Sequence, residues 1–413
     1  MSVFFLIAMS QKLIHHNQKR AAEKISAIFN TSNYAILMAQ MQSGKTMSAL
    51  WTAAIMEKKI RHVYIISGDS QTYLQTQWMS DIGNLKKGGH ARDLNWNVCF
   101  RHNLQHIPSD LSHALIIWDE SHTAQTTGQT MDHFYKRLSL KINGEMEELK
   151  KRNIYMLSIS ATPISEITCN VTQDQKKPIV FLKTPSSYRG VEYFYKNNLI
   201  KPSFPISERP NLVSLLNAHK KPGYFIMRIR NSKDFNMESY ICPIANDNGF
   251  KTIVCSSKRG ADTKTLDFMA TKPTEPTLVL IFGKYRMGQR VIKEYLTGVF
   301  EYSKSMKADT ALQGLLGRSC GYHSCDFDIY VPEHIITRTI QEFLEFVKTR
   351  GKCGISNAMN TCSISPNSLV EDYPVTNGKE IFSSKNSPKL LTVCTNLVPI
   401  DYHSYGQFYE CIH

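Results

Sequence analysis

No CxxC pair occurs in this 413-residue chain, although it carries ten cysteines, at positions 99, 169, 242, 255, 320, 325, 353, 362, 394 and 411. Thiols scattered in this way argue against a disulfide framework and for a reducing compartment, cytosolic or nuclear rather than secreted. Cys320, His323 and Cys325 would make a start on a metal site, but no second pair stands at ligand spacing, which argues against zinc. No apolar run is long enough to span a bilayer, so no membrane role is expected. The start, MSVFFLIAMS, has neither a basic n-region nor a small-residue cleavage site. A buried strand or helical turn is expected there, with Met9 competing with Met1 as the natural start. There is no internal repeat. Acids are scarce: 35 Asp and Glu face 49 Lys and Arg, a formal charge of +14. That excess favours a polyanionic partner, nucleic acid ahead of an anionic membrane surface.

What is present is the composition of a globular protein, 42% hydrophobic and 20% charged. The length exceeds one ordinary core and predicts two domains with a smaller appendage. Helical spacing of apolar residues marks 11–29. After it, short apolar runs alternate with helical stretches: YAILM, then the helix SALWTAAIMEKK; HVYIIS, then LQTQWMSDI; then ALIIW and IYMLSIS. Continuous apolar runs separated by helices predict parallel strands covered on both faces. Prolines 178, 185, 202, 205 and 210 then accumulate, as expected of a connector between lobes. GYFIMRI, KTIVCSS and PTLVLIF resume the pattern. Beyond about residue 345 the chain turns rich in Ser, Asn, Gly and Lys, with only LLTVCTNLV strand-like.

Four stretches carry chemistry. In AQMQSGKT (39–46) a strand runs into Gly44-Lys45-Thr46 at a helix start, the arrangement that cradles phosphates on backbone amides. Gly44 admits close approach, Lys45 neutralises β and γ charge, and Thr46 is a magnesium ligand candidate. Ala39 takes the position of the pattern's first glycine, and Gln42 and Ser43 complete the loop. The second stretch, ALIIWDESH (114–122), ends an apolar run in Asp119 and Glu120. Asp119 is placed to hold the metal and Glu120 to polarise water. In the third, MLSISATP (156–163), Ser160 and Thr162 are hydroxyls able to bond the acidic stretch or a moving second lobe. The fourth, ADTALQGLLGRSCGY (308–322), offers Gln313 and Arg318, the latter as a cation for transition-state charge.

QSGKT, DESH, SATP and QGLLGRSCGY, in that order, resemble the motifs of superfamily 2 helicases and translocases of DExH type, across roughly residues 15–335. The style is similar to that of helicase-like proteins of phages and large DNA viruses. The resemblance implies an α/β fold of two RecA-like lobes, each a parallel sheet covered by helices, plus a small C-terminal extension. Its expected boundaries are 1–185 for lobe 1, 186–207 for the connector, 208–345 for lobe 2 and 346–413 for the extension. It implies ATP and Mg2+ as ligands, bound in a cleft with Lys45, Thr46, Asp119 and Glu120 from one lobe and Arg318 from the other. Gln18 falls where the family reads adenine. SGDSQTYLQTQW (67–78) is similar to a backbone-contacting motif, and GKYRMGQRV (283–291), which includes Arg286 and Gly288, to the motif that couples nucleic acid to nucleotide. One extra residue between Gln313 and Gly317, and Gly321-Tyr322 in place of a final arginine, depart from the family and leave Arg318 as the finger candidate of that motif.

Nucleic acid, DNA ahead of RNA, is the implied partner, with Arg228, Arg230, Lys284, Arg286 and Arg290 as candidate phosphate contacts. Protein partners are expected through the extension. Two activities share these motifs: a motor that moves along or unwinds nucleic acid, and a stimulated ATPase that remodels complexes without separating strands. A nuclease would need clustered carboxylates, and Glu371, Asp372, Glu380, Asp401 and Glu410 show no pairing.

Overall fold

In a computed structural model of the chain, the residues described are 14–67, 72–121, 130–139, 147–163, 177–229, 236–256, 266–282, 291–303, 306 and 308–350. They divide into two compact units. The first runs to Pro185 and includes Phe346 to Arg350; the second runs from Ser186 to Glu345.

The first unit is a parallel six-stranded sheet: β1 (Tyr34–Met38), β2 (His62–Ser67), β3 (Asn95–Phe100), β4 (Ala114–Asp119), β5 (Ile154–Ser160) and β6 (Ile179–Phe181). Its strand order is β3-β2-β4-β5-β1-β6. The continuous apolar runs follow from burial on both faces, because successive residues of a strand point to opposite sides. Ala35 and Leu37 of β1 join Val63, Ile65, Leu115 and Ile117 in one core, under α1 (His16–Ile28), α2 (Lys45–Ile55) and α3 (Thr72–Lys87). Tyr34 and Ile36 face the other way, with Ile116, Trp118 and Met156, against α4 (Thr130–Arg137) and α5 (Glu147–Lys151). Deleting such a side chain, for instance Leu37→Ala, costs about 2–5 kcal/mol.

The second unit repeats the plan with β7 (Ile200–Ser203), β8 (Gly223–Ile229), β9 (Lys251–Ser256), β10 (Pro276–Phe282), β11 (Leu296–Glu301) and β12 (Asp328–Pro332), in the order β7-β12-β11-β8-β10-β9, all parallel. Its helices are α6 (Val191–Lys196), α7 (Arg209–Ala218), α8 (Met237–Asp247), α9 (Ala308–Leu312) and α10 (Leu315–Ser319). A last helix, α11 (Gln341–Lys348), crosses the boundary back to the first unit. Leu212, Leu216, Ile241 and Ile244 pack against Phe225, Met227, Leu280 and Phe300. Both units are RecA-like α/β lobes.

The stretch 186–207, expected as a connector, differs from that expectation. It carries α6 and β7 and lies within the second unit, where β7 pairs with β12 at the edge of the sheet. Accumulated prolines suggest a connector because a proline breaks strands, yet Pro202 lies in an edge strand, which tolerates one. Residues 351–413, with the strand-like LLTVCTNLV, and the apolar start lie outside the described residues, as do residues 68–71 within the backbone-contacting stretch. Among the described residues no helix is long and apolar enough to cross a membrane.

Candidate nucleotide site

In a parallel sheet the carboxyl ends of neighbouring strands meet along one edge, and that is where ligands bind in open α/β folds. Here β4, β5 and β1 are adjacent, so Asp119, Ser160 and the loop after Met38 converge. The backbone ties them together: Ala39 N–H donates to Ser160 O at 3.0 Å and Ser121 N–H to Ile159 O at 3.2 Å.

The phosphate loop, 39–44, turns through two left-handed residues, Gln42 (φ 55°) and Gly44 (φ 96°). The Ser43 hydroxyl, buried, donates to Gln40 O at 2.6 Å and closes the turn. Gly44 caps α2, so Lys45 and Thr46 open the helix, whose unpaired amides and positive dipole end suit an anion. A side chain at Gly44 is excluded twice. The left-handed φ strains any L-residue, and a Cβ would overlap the amide of buried Gln18. Gln18 accepts at Oε1 from His15 N–H at 3.0 Å. Its position on α1 is therefore fixed by the helix cap, and its Nε2 end lies against the phosphate loop.

Lys45 Nζ reaches both acids: it lies 3.1 Å from Asp119 Oδ1 and pairs with Glu120 Oε1. Burial opposes the lysine charge, but the two carboxylates and their hydrogen bonds outweigh it and hold Lys45 protonated, above the ordinary lysine range. For Asp119, burial pushes the carboxyl up; Lys45 pulls it down while Glu120 adds to the rise. One ammonium serves two carboxylates, leaving a local charge of −1. Glu120 takes a left-handed φ of 53°, and its N–H donates to Asp119 Oδ1 at 3.1 Å. The pair is thereby set as a bent acidic turn directly off the strand. Ser160 Oγ accepts from Thr162 N–H at 3.0 Å, and both residues are buried.

The donor set fits a hard divalent cation. Asp119 offers carboxylate oxygen and Thr46 a hydroxyl, and both are ligands that magnesium takes alongside waters and phosphate oxygens. Among the described residues no group of three or more His, Cys, Asp or Glu forms a self-sufficient metal cage. Such an ion would thus need ligand oxygens from phosphate and water.

The second unit holds its own charged cluster. Gln313 lies between α9 and α10. Arg318, on α10, is buried near Glu301, the last residue of β11. Glu301 pairs with Arg228, its direct register partner on β8, and accepts from Leu315 N–H at 3.1 Å. Burial raises the Glu301 carboxyl, against the pull of Arg228, the Leu315 amide and Arg318. A Cβ at Gly314 would come within 2.6 Å of Glu301 Oε2, so only glycine lets the carboxylate reach the start of α10. The side chain of Arg228, a candidate phosphate contact, is 14% exposed and pairs with Glu301. Glu301 is not among the residues the sequence singles out, because Thr297 and Gly298 interrupt LTGVFE where ALIIWD is continuously apolar. Arg286, Gly288, Arg230, Lys284 and Arg290 lie outside the described residues.

No family model matches the chain. The uncharacterised protein L594 of Acanthamoeba polyphaga mimivirus is 23% identical over 77% of this chain and 87% of its own length. Among solved structures, the ATP-dependent Type ISP restriction-modification enzyme LlaBIII, bound to DNA, superposes with a TM-score of 0.53 at 12% identity, over 77% of this chain. The chain spans 27% of that enzyme's length. Dbp5 of S. cerevisiae, bound to RNA and ADP BeF3, gives a TM-score of 0.49 at 10% identity, over 84% of this chain and 90% of Dbp5. The likeness to LlaBIII is one of fold.

Proposed function

We propose that the chain is an ATP-driven nucleic-acid motor of the superfamily 2 type, hydrolysing ATP to move along or unwind DNA, with RNA as the lesser alternative. The observation that carries this reading is the meeting of Lys45 with Asp119 and Glu120 below a glycine-capped helix start. In the fold shared with LlaBIII, a DNA-bound ATP-dependent enzyme, such a cluster is suited to a triphosphate. The relation to a mimivirus protein supports the large-DNA-virus style of the motifs.

In this mechanism the α2 amides and Lys45 bind the β and γ phosphates, Lys45 exchanging its carboxylate partners for phosphate oxygens. Asp119 and Thr46 would hold Mg2+, whose chemistry when bound would be to offset phosphate charge. Glu120 orients the attacking water and takes its proton. Gln18 stands where it can read the base while bracing Gly44. Ser160 and Thr162 tie the acidic turn to the neighbouring strand end and couple it to nucleic acid, together with Arg286; Gly288 contributes to nucleotide binding. Arg318, with Gln313 beside it, is the second lobe's cation for the transition state. The +14 charge supplies salt-sensitive affinity for the phosphate backbone.

The test is steady-state ATPase at low salt, alone and with single-stranded DNA, duplex DNA and RNA. Turnover stimulated by one polymer and suppressed by added salt is the expected result. Turnover indifferent to all three would reject a nucleic-acid motor, and an unwinding assay then separates strand separation from remodelling.

A further inference from the structure

A basic cavity of about 460 Å³ lies in the first unit, away from the acidic turn. Its lining brings His16 together with the cations Arg20 and Lys24 from α1, Lys183 from the segment after β6, Lys348 at the end of α11 and Arg350 just past it. Among the described residues no carboxylate lines it. Glu23, the acid of α1, is exposed and lies off the lining. Three chain segments, far apart in sequence, thus bring five permanent cations to one concavity. Gln40, the second residue of the phosphate loop, reaches its edge.

This arrangement works against the fold that carries it. Arg20 and Lys24 stand four positions apart on α1, and like charges at that spacing weaken a helix. Burial makes the Lys24 charge harder to hold, and Arg20, Arg350 and Lys183, all cations, push the same way. The volume falls in the range of small-ligand sites, about 300–1,000 Å³, and planar guanidinium groups beside ammonium groups are the set that grips phosphate from several sides.

We propose that this cavity is a second anion site, separate from the phosphate loop, which takes a compact group of two or more adjacent phosphates. The group comes either from a free polyphosphate or from the phosphorylated 5′ end of a nucleic-acid strand. The inference does not depend on the chain being an ATPase.

The full chain carrying Lys45→Ala, which cripples the phosphate loop, is titrated calorimetrically with inorganic tripolyphosphate at low salt. One saturable site is expected to remain, weakened tenfold or more by adding Arg20→Glu with Lys183→Glu and less by Arg20→Gln with Lys183→Gln. Both pairs should melt no lower than the parent, since they relieve like-charge repulsion. Absence of a saturable site in the Lys45→Ala chain, or affinity unmoved by the charge reversals, overturns the proposal. Competition with 5′-triphosphorylated and 5′-hydroxyl oligonucleotides then names the source. Preferential displacement by the triphosphorylated strand assigns a strand end, and equal displacement assigns the free polyphosphate.

Discussion

The first unit sets one cation between two acids, whereas the second sets one acid between two cations. Lys45 with Asp119 and Glu120 sums to −1, and Glu301 with Arg228 and Arg318 to +1. In each cluster a strand ends at a carboxylate, Asp119 on β4 and Glu301 on β11, and each lobe has a glycine that admits no side chain: a Cβ at Gly44 would overlap Gln18 and one at Gly314 would crowd Glu301. They differ in what the cluster is for. The first is built on a helix N-terminus with left-handed loop residues, and its lysine can trade carboxylates for phosphate. The second is closed in upon a register pair, Glu301 with Arg228, and caps the short helix that carries Arg318. On the proposed function, the first cluster serves binding, and the second holds the helix that carries Arg318.

The contrast breaks most visibly at the lysine. Lys45→Ala removes the phosphate counter-charge and leaves two acids repelling each other, so ATP turnover is expected to fall about 10³-fold, as read by phosphate release. Retention of turnover would dissolve the distinction between the clusters. Glu120→Gln, which keeps shape and loses basicity, should lower turnover about 10²-fold or more with nucleotide affinity preserved in an equilibrium titration.

In the second unit the expected loss is of stability. Glu301→Ala strands the Arg228 charge and should cost about 3 kcal/mol in denaturant unfolding. Glu301→Gln, which can still accept from the Leu315 amide, should cost less. The sign with pH follows from burial raising the carboxyl above its ordinary 4.5. An acid raised by folding binds more protons when folded, so its stabilising contribution is present below the unfolded value and is lost as pH climbs through the folded one. Glu301→Gln should therefore gain on wild type as pH rises from 4.5; a gap that widens instead would reverse the assignment. The smallest effect is expected at the loop. Gly44→Ala should cost about 1–2 kcal/mol for its left-handed backbone, and pairing it with Gln18→Ala should recover part of that loss by removing the overlapping amide.

Much of this was legible in sequence, and the parts that were not have physical reasons. β1, β2, β4, β5, β8 and β10 are continuous apolar runs because both faces of each sheet are covered, and that pattern shows without a structure. β3 is half-exposed along NWNVCF, β6 is three residues long, and β7 holds a proline at an edge, so none offers such a run. The phosphate loop and Asp119-Glu120 stood out because polar residues interrupt apolar strands at their ends. Glu301 gave a weaker signal, since Thr297 and Gly298 interrupt its strand, and its partner Arg228 lies 73 positions earlier, where only the β8–β11 register joins them. The basic cavity was invisible for a similar reason, since its cations come from three distant segments.

The most direct measurement is phosphate release from ATP by wild type and Glu120→Gln, each beside its own nucleotide-binding isotherm. The account predicts that both bind ATP alike while only wild type turns it over. Equal turnover, or loss of binding in Glu120→Gln, would contradict the assignment of the Lys45–Asp119–Glu120 cluster as the site of hydrolysis.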